Sequence, residues 1–170
     1  MKIIFSTLFF CFSFAASAQM NRGGLTAKDL AGLPGNWTGT VVYTTNGADK
    51  SQVTYKTSLE IVDMKDSFML KFVRTNTDGK QLFETYALRM YEDGNRMRFD
   101  SSVYDIVAVR RRGVRLSIIA EREGVDKYRS ADFQQTITIG PGMLNIVKGI
   151  RYMDMVDYFI RSRSAFTKNK

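Results

Sequence analysis

The sequence predicts an all-β domain: a single antiparallel up-and-down barrel of eight to ten strands, preceded by a short helical turn. Three observations carry this expectation. From Trp37 onward apolar and polar residues alternate with a period of two, as strands with one buried face do. Turn dipeptides, among them Asn46-Gly47, Asp78-Gly79 and Asp93-Gly94, break the alternation every ten to fifteen residues or so. No stretch keeps a helical period for more than one turn, which argues against parallel βαβ units. A meander of that many strands leaves two free edges, and closure into a tube removes them; a flat β-sandwich is the alternative.

Residues 1–19 read as an export signal. Lys2 supplies a positive start, an apolar run from Ile3 to Phe14 follows, and Ala16-Ser17-Ala18 before Gln19 fits the small-x-small cleavage pattern. The run is too short for a membrane-spanning helix, which needs about 20 residues. A secreted or periplasmic protein that is not transmembrane is therefore expected. Residues 20–35 form a lead-in. Thr26 and Asp29 have capping-box spacing around one helical turn, and Pro34 then disfavours helix at Leu33. Residues 36–167 make the barrel, with strands expected at 36–44, 52–63, 67–76, 81–92, 96–101, 104–110, 114–122, 128–139, 143–151 and 156–166.

Composition excludes whole classes of chemistry. Histidine is absent, and the single cysteine, Cys11, falls within the signal. Ser-His-Asp catalysis, histidine-ligated zinc or haem, disulfides and thiolate nucleophiles are thus ruled out together, and no cofactor is expected. The strand-borne acids Glu84, Asp100, Asp105 and Asp132 share no motif that would pair two of them, so the chain reads as a non-enzyme. Of these, Glu84 and Asp132 gain interest only if they point inward.

The formal net charge is +8, or +7 once Lys2 leaves with the signal. The densest basic cluster, Arg110, Arg111, Arg112 and Arg115, surrounds an expected hairpin tip at Gly113. It reads as a solvated surface patch with at most weak attraction for an anionic surface or polymer, and no basic run points to specific nucleic-acid binding. Aromatic residues are well placed to line an interior. Tyr43, Tyr55, Phe72, Tyr86, Phe99 and Phe133, with Leu70 and Leu88, are the cavity candidates. Two readings of them stand: walls around a small ligand, or side chains that fill the tube and leave surface interaction as its function.

Gly35-Asn36-Trp37 at the start of the first strand resembles the G-x-W signature of lipocalins and the wider calycin superfamily, which includes fatty-acid-binding proteins and avidins. The resemblance implies carriage of a small apolar or amphiphilic ligand. It also implies that a basic side chain of the last strand lies across the tryptophan, with Arg161 or Arg163 of Phe159-Ile160-Arg161-Ser162-Arg163 as the candidates. The G-x-W-x-G opening and aromatic-x-R-x-R ending are also similar to small secreted lipocalin-like proteins of Bacteroidetes-type bacteria. The chain departs from lipocalins in lacking a disulfide, and ten strands would lie nearer the fatty-acid-binding or nitrobindin-like barrels. The histidine that nitrobindin-like haem binding uses is missing here.

Overall fold

The structure, a computed structural model, describes residues 24–45, 51–91 and 93–170; the expected export signal, the first residues of the lead-in and the Asn46-Gly47 turn lie outside them. A 3-10 turn at Ala27–Leu30 leads into ten strands. They are β1 (Gly35–Thr44), β2 (Gln52–Asp63), β3 (Phe68–Thr75), β4 (Gln81–Met90), β5 (Arg96–Phe99), β6 (Ser102–Arg112), β7 (Arg115–Asp126), β8 (Arg129–Gly140), β9 (Met143–Tyr152) and β10 (Phe159–Lys168). Each pairs antiparallel with the next, and β10 returns to β1, so the sheet closes. The sandwich alternative is thereby excluded.

Among the boundaries that differ from expectation, two have a clear physical reason. The strand expected to end at Arg122 continues to Asp126, and the hairpin turns instead at Lys127 and Tyr128, both with positive φ (48° and 70°). A two-residue primed turn needs that geometry and usually recruits Gly or Asn for it. Gly124 is therefore a strand residue. A Cβ there would stand 2.4 Å from Arg122 Nη1 and 3.1 Å from Phe133 Cε2, so the missing side chain makes room for a guanidinium. Likewise the last strand begins at Phe159 rather than near Val156 and carries a bulge between Ile160 and Ser162.

One end of the tube is sealed. Trp37 faces inward opposite Leu59 and Lys168 and is buried. Beneath it Leu25, Leu30 and Leu33 pack as a plug, and the indole Nε1 donates to Leu33 O at 2.9 Å. The capping-box expectation explains how the plug is held. The Thr26 N–H and hydroxyl both donate to Asp29 Oδ2, and Arg111 Nη2 on β6 donates to Asp29 Oδ1 at 3.0 Å. Gly39, two residues beyond the tryptophan, lets β1 and β10 approach: a Cβ there would sit 1.9 Å from Ala165 O. The G-x-W-x-G spelling is therefore a set of backbone requirements at the seam.

The opposite end is open, and the wall beside it is notched. β5 ends at Phe99 opposite Leu88, so β4 residues 81–86 have no strand on that side. The β6–β7 ladder begins only at Asp105↔Glu121, so β7 residues 122–126 also lack a partner there. The β5–β6 turn, Asp100-Ser101, forms the lower lip of this gap, held by the Asp100 N–H bond to Ala87 O.

Two outcomes are expected from the sealed end. Trp37→Ala lowers unfolding free energy by about 3–5 kcal/mol in denaturant titration; a loss much under 1 kcal/mol would contradict a sealed indole. For Asp29, burial alone would raise the carboxyl, but the Thr26 N–H and the Arg111 guanidinium together hold it below its ordinary value of 3.8. The stabilisation is present above pH 4 and fades as pH falls through the depressed value. Asp29→Asn should cost about 1 kcal/mol at pH 7 and flatten the acid limb of the stability profile; an acid limb unchanged in the variant would refute the assignment.

Candidate functional site

Alternation along each strand sorts the interior into two halves. In the sealed half Leu59, Ile61, Leu70, Leu88, Met97, Ile118, Ile137, Leu144 and Phe166 meet in one close-packed core. In the open half the inward positions carry Arg74, Glu84, Tyr86, Arg122, Gln135, Lys148, Ser162 and Ser164. A cavity of about 240 Å³ remains there, somewhat below the ~300–1,000 Å³ usual for small-molecule sites.

Among the aromatic and aliphatic candidates, Tyr43, Phe72, Tyr86 and Phe99 line this cavity. Tyr55 stands edge-on behind Tyr43, their ring centroids 5.9 Å apart. Leu70 and Leu88 lie in the filled core instead, because their register places them at the level of Ile61 and Phe68. Phe133 is a platform rather than a free wall: the Arg122 guanidinium lies 4.0 Å and the Lys148 ammonium 5.8 Å from its ring centroid. Tyr104, Arg74, Arg122, Gln135, Lys148, Ser162 and Ser164 also line the cavity, and none of these was among the candidates.

The charged groups form two unequal clusters. On the β3–β4 wall Arg74, 5% exposed, is ion-paired with Glu84, whose other oxygen accepts from the Tyr86 hydroxyl. The same guanidinium lies 5.0 Å from the Tyr43 ring centroid. Burial, and then the bond to Glu84, pushes the Tyr86 phenol well above its ordinary value; burial likewise raises Tyr43. Both phenols therefore remain protonated donors through neutral pH. This cluster is self-neutralised.

On the β7–β9 wall Arg122 and Lys148 have no such partner. Arg122 Nη1 donates to its neighbour's carbonyl, Glu123 O, and the ammonium meets the Phe133 ring. Neither has a carboxylate within ion-pair distance among the described residues. Gln135, 3% exposed and opposite Lys148 in the ladder, has an Oε1 without a hydrogen-bond partner, and Arg122 Nε and Arg74 Nε are in the same condition. Unpaired buried polar atoms are rare enough to need a reason.

The remaining expected residues are placed as follows. The cation over Trp37 is Lys168, not Arg161 or Arg163: its Nζ lies 5.3 Å from the ring and donates to Gly32 O at 2.9 Å. Gly35, at φ 128°, leaves the space that the lysine stem crosses. Arg163 faces outward opposite Val42 and Val147, and Arg161 sits in the β10 bulge toward the open end, because the strand runs further than expected before reaching the indole. In the basic cluster Arg111 is tied to Asp29, while Arg110, Arg112 and Arg115 are exposed, Arg112 directly opposite Arg115. Glu84 points inward but is already bound, and Asp132 points outward to Arg151, Nη2 at 2.7 Å. Among the described residues no group of three potential metal ligands is assembled, and no helix is long and apolar enough to cross a membrane.

No protein-family model matches the chain, and no curated protein matches it. Among solved structures it is similar to that titled crystal structure of Rv2717c from M. tuberculosis, with a TM-score of 0.61 and 13% identity over 84% of this chain and 96% of that one. The likeness supports the fold, a closed ten-stranded antiparallel barrel.

Substitution should separate the closing cation from the arginines. Lys168→Met is expected to lower stability by about 1 kcal/mol, since it removes a cation–π contact and a bond to a helix-end carbonyl. Arg163→Met should stay within about 0.5 kcal/mol, as exposed positions generally do. The reverse order in thermal melts would restore the arginine to the closure.

Proposed function

We propose that this barrel is a calycin-like carrier that binds one small amphiphilic molecule in its open half, and that it works outside the cytoplasm after loss of residues 1–19. The observation that carries the reading is the contrast between the halves. The sealed half is packed with Leu, Ile and Phe, whereas the open half keeps a cavity whose lining residues carry three buried polar atoms without partners, Arg74 Nε, Arg122 Nε and Gln135 Oε1. A protein that needed only a rigid scaffold would gain by filling that space, since unsatisfied polar atoms cost roughly 1–3 kcal/mol each. The rings of Tyr43, Phe72, Tyr86 and Phe99 offer apolar contact, and the notch beside Asp100-Ser101 offers access.

Native mass spectrometry of protein purified from its own host should reveal a bound small molecule, and Ser164→Phe, which fills the cavity, should abolish that adduct. A thermal-shift screen gives the same test without the host: a true ligand at 100 times its Kd adds about 2.7 kcal/mol, or roughly 5–10 °C for a domain of this size. Adduct-free protein together with a flat screen of amphiphiles would end the carrier reading. The second reading, an outer surface for an anionic polymer, is favoured by the directly opposed like charges Arg112↔Arg115 and Arg89↔Arg98. Its measure is retention on heparin, lost with salt and with Arg112→Ser.

A further inference from the structure

We infer that the bound molecule carries an acidic head group, a carboxylate or phosphate, received by Arg122, Lys148 and the Gln135 amide on the β7–β9 wall. The inference rests on the carrier reading and adds the chemical class. Two like charges share the Phe133 ring, and neither meets a carboxylate among the described residues. An arrangement of that kind repels itself unless a counter-charge enters between the two. The Arg74 cation offers no such vacancy, because Glu84 already neutralises it.

The local backbone is shaped to hold the guanidinium in place. Gly124 leaves the space that Arg122 Nη1 occupies, and Tyr104 and Phe133 flank the guanidinium at 5.4 and 4.0 Å from their ring centroids. Gln135 supplies a second, independent sign that a polar group enters here: nearly wholly buried, it lines the cavity, and its amide oxygen has no hydrogen-bond partner. An amide that turns over presents either a donor or an acceptor, so it can meet a carboxylate or a hydroxyl of a phosphate monoester. Asp100, the one carboxylate lining the cavity, stands exposed on the turn at the notch and forms no ion pair with either cation. The apolar part of the ligand would face the rings of Phe72, Tyr86 and Phe99.

The test is isothermal titration of the purified protein, lead-in and barrel together, with three probes of one shape: 4-propylbenzoate, 4-propylphenyl phosphate and the neutral 4-propylbenzyl alcohol. At least one acid should bind tenfold or more tightly than the alcohol, and the tighter acid identifies the head group. Arg122→Met and Lys148→Met should each weaken that acid by tenfold or more while changing alcohol binding less than twofold. Gly124→Ala, which displaces the guanidinium without removing it, should weaken the acid alone, and the surface variant Arg163→Met should change neither. Circular dichroism melts check that each variant is folded. Equal binding of acid and alcohol, or acid binding unaffected in both cation variants, overturns the acidic head group and leaves the carrier reading standing. If none of the three probes binds, the acidic head group is overturned as well, and the carrier reading then stands or falls on the native adduct and the thermal-shift screen.

Discussion

Everything above the sealed end depends on one seam. β1 is the strand that must be gripped on both sides for the sheet to become a tube, and its register is set where Trp37 stands opposite Lys168 on one side and Leu59 on the other. The indole cannot slide by one residue, because a shift would turn it and every inward side chain of β1 to solvent. Its ring nitrogen is committed to Leu33 O, so the plug and the strand are positioned by the same residue. The lysine across the ring also bonds Gly32 O, and thereby joins the last strand to the lead-in ahead of the first. Barrel closure and end closure are one event.

This anchoring explains why the rest of the interior can be uneven. A domain of this size draws its net stability from burial in a core, and here that core is concentrated in the sealed half. The open half can then hold an ion pair with a buried arginine and two unpaired cations, features that weaken a fold more often than they strengthen it. The truncated β5–β6 hairpin follows the same division. It contributes Met97, Phe99 and Tyr104 to the core and stops, so that the wall is complete where packing is dense and interrupted where the polar groups lie.

Much of this was legible in the residues. Strand existence, hairpin order and the capping box follow from alternation, turn dipeptides and Thr-x-x-Asp spacing, and the place of the tryptophan from the resemblance of Gly35-Asn36-Trp37 to the G-x-W signature. What escaped did so for identifiable reasons. The turn at Lys127-Tyr128 uses positive φ without a glycine, while Gly124 carries the usual turn residue inside a strand, so local chemistry pointed four residues too early. The bulge between Ile160 and Ser162 inverted the faces of β10, and the closing cation lay beyond the expected end of that strand. The polar half was visible in principle. Gln135 interrupts the inward series Phe133, Ile137, Ile139, and Lys148 interrupts Leu144, Ile146, Ile150. A polar residue in an otherwise apolar inward series is the sequence signal of this polar half.

The two cation clusters also bear on why Arg74 and Arg122 are both arginine while the third inward cation is lysine. Arg74 serves a fixed partner, and a planar fork matches a carboxylate whose position the backbone already determines. The Arg122 guanidinium carbon lies 4.0 Å from the Phe133 ring centroid, a contact that a guanidinium sustains better than an ammonium because it is more weakly hydrated. Lys148 is different: a point charge on a flexible stem, opposite an amide that can turn over, can follow a head group of either shape. A rigid cation beside a mobile one makes a site that is fixed on one flank and adjustable on the other. The chain's inward-facing polar residues therefore divide between those that complete the fold by pairing with each other and those left unpaired toward the cavity.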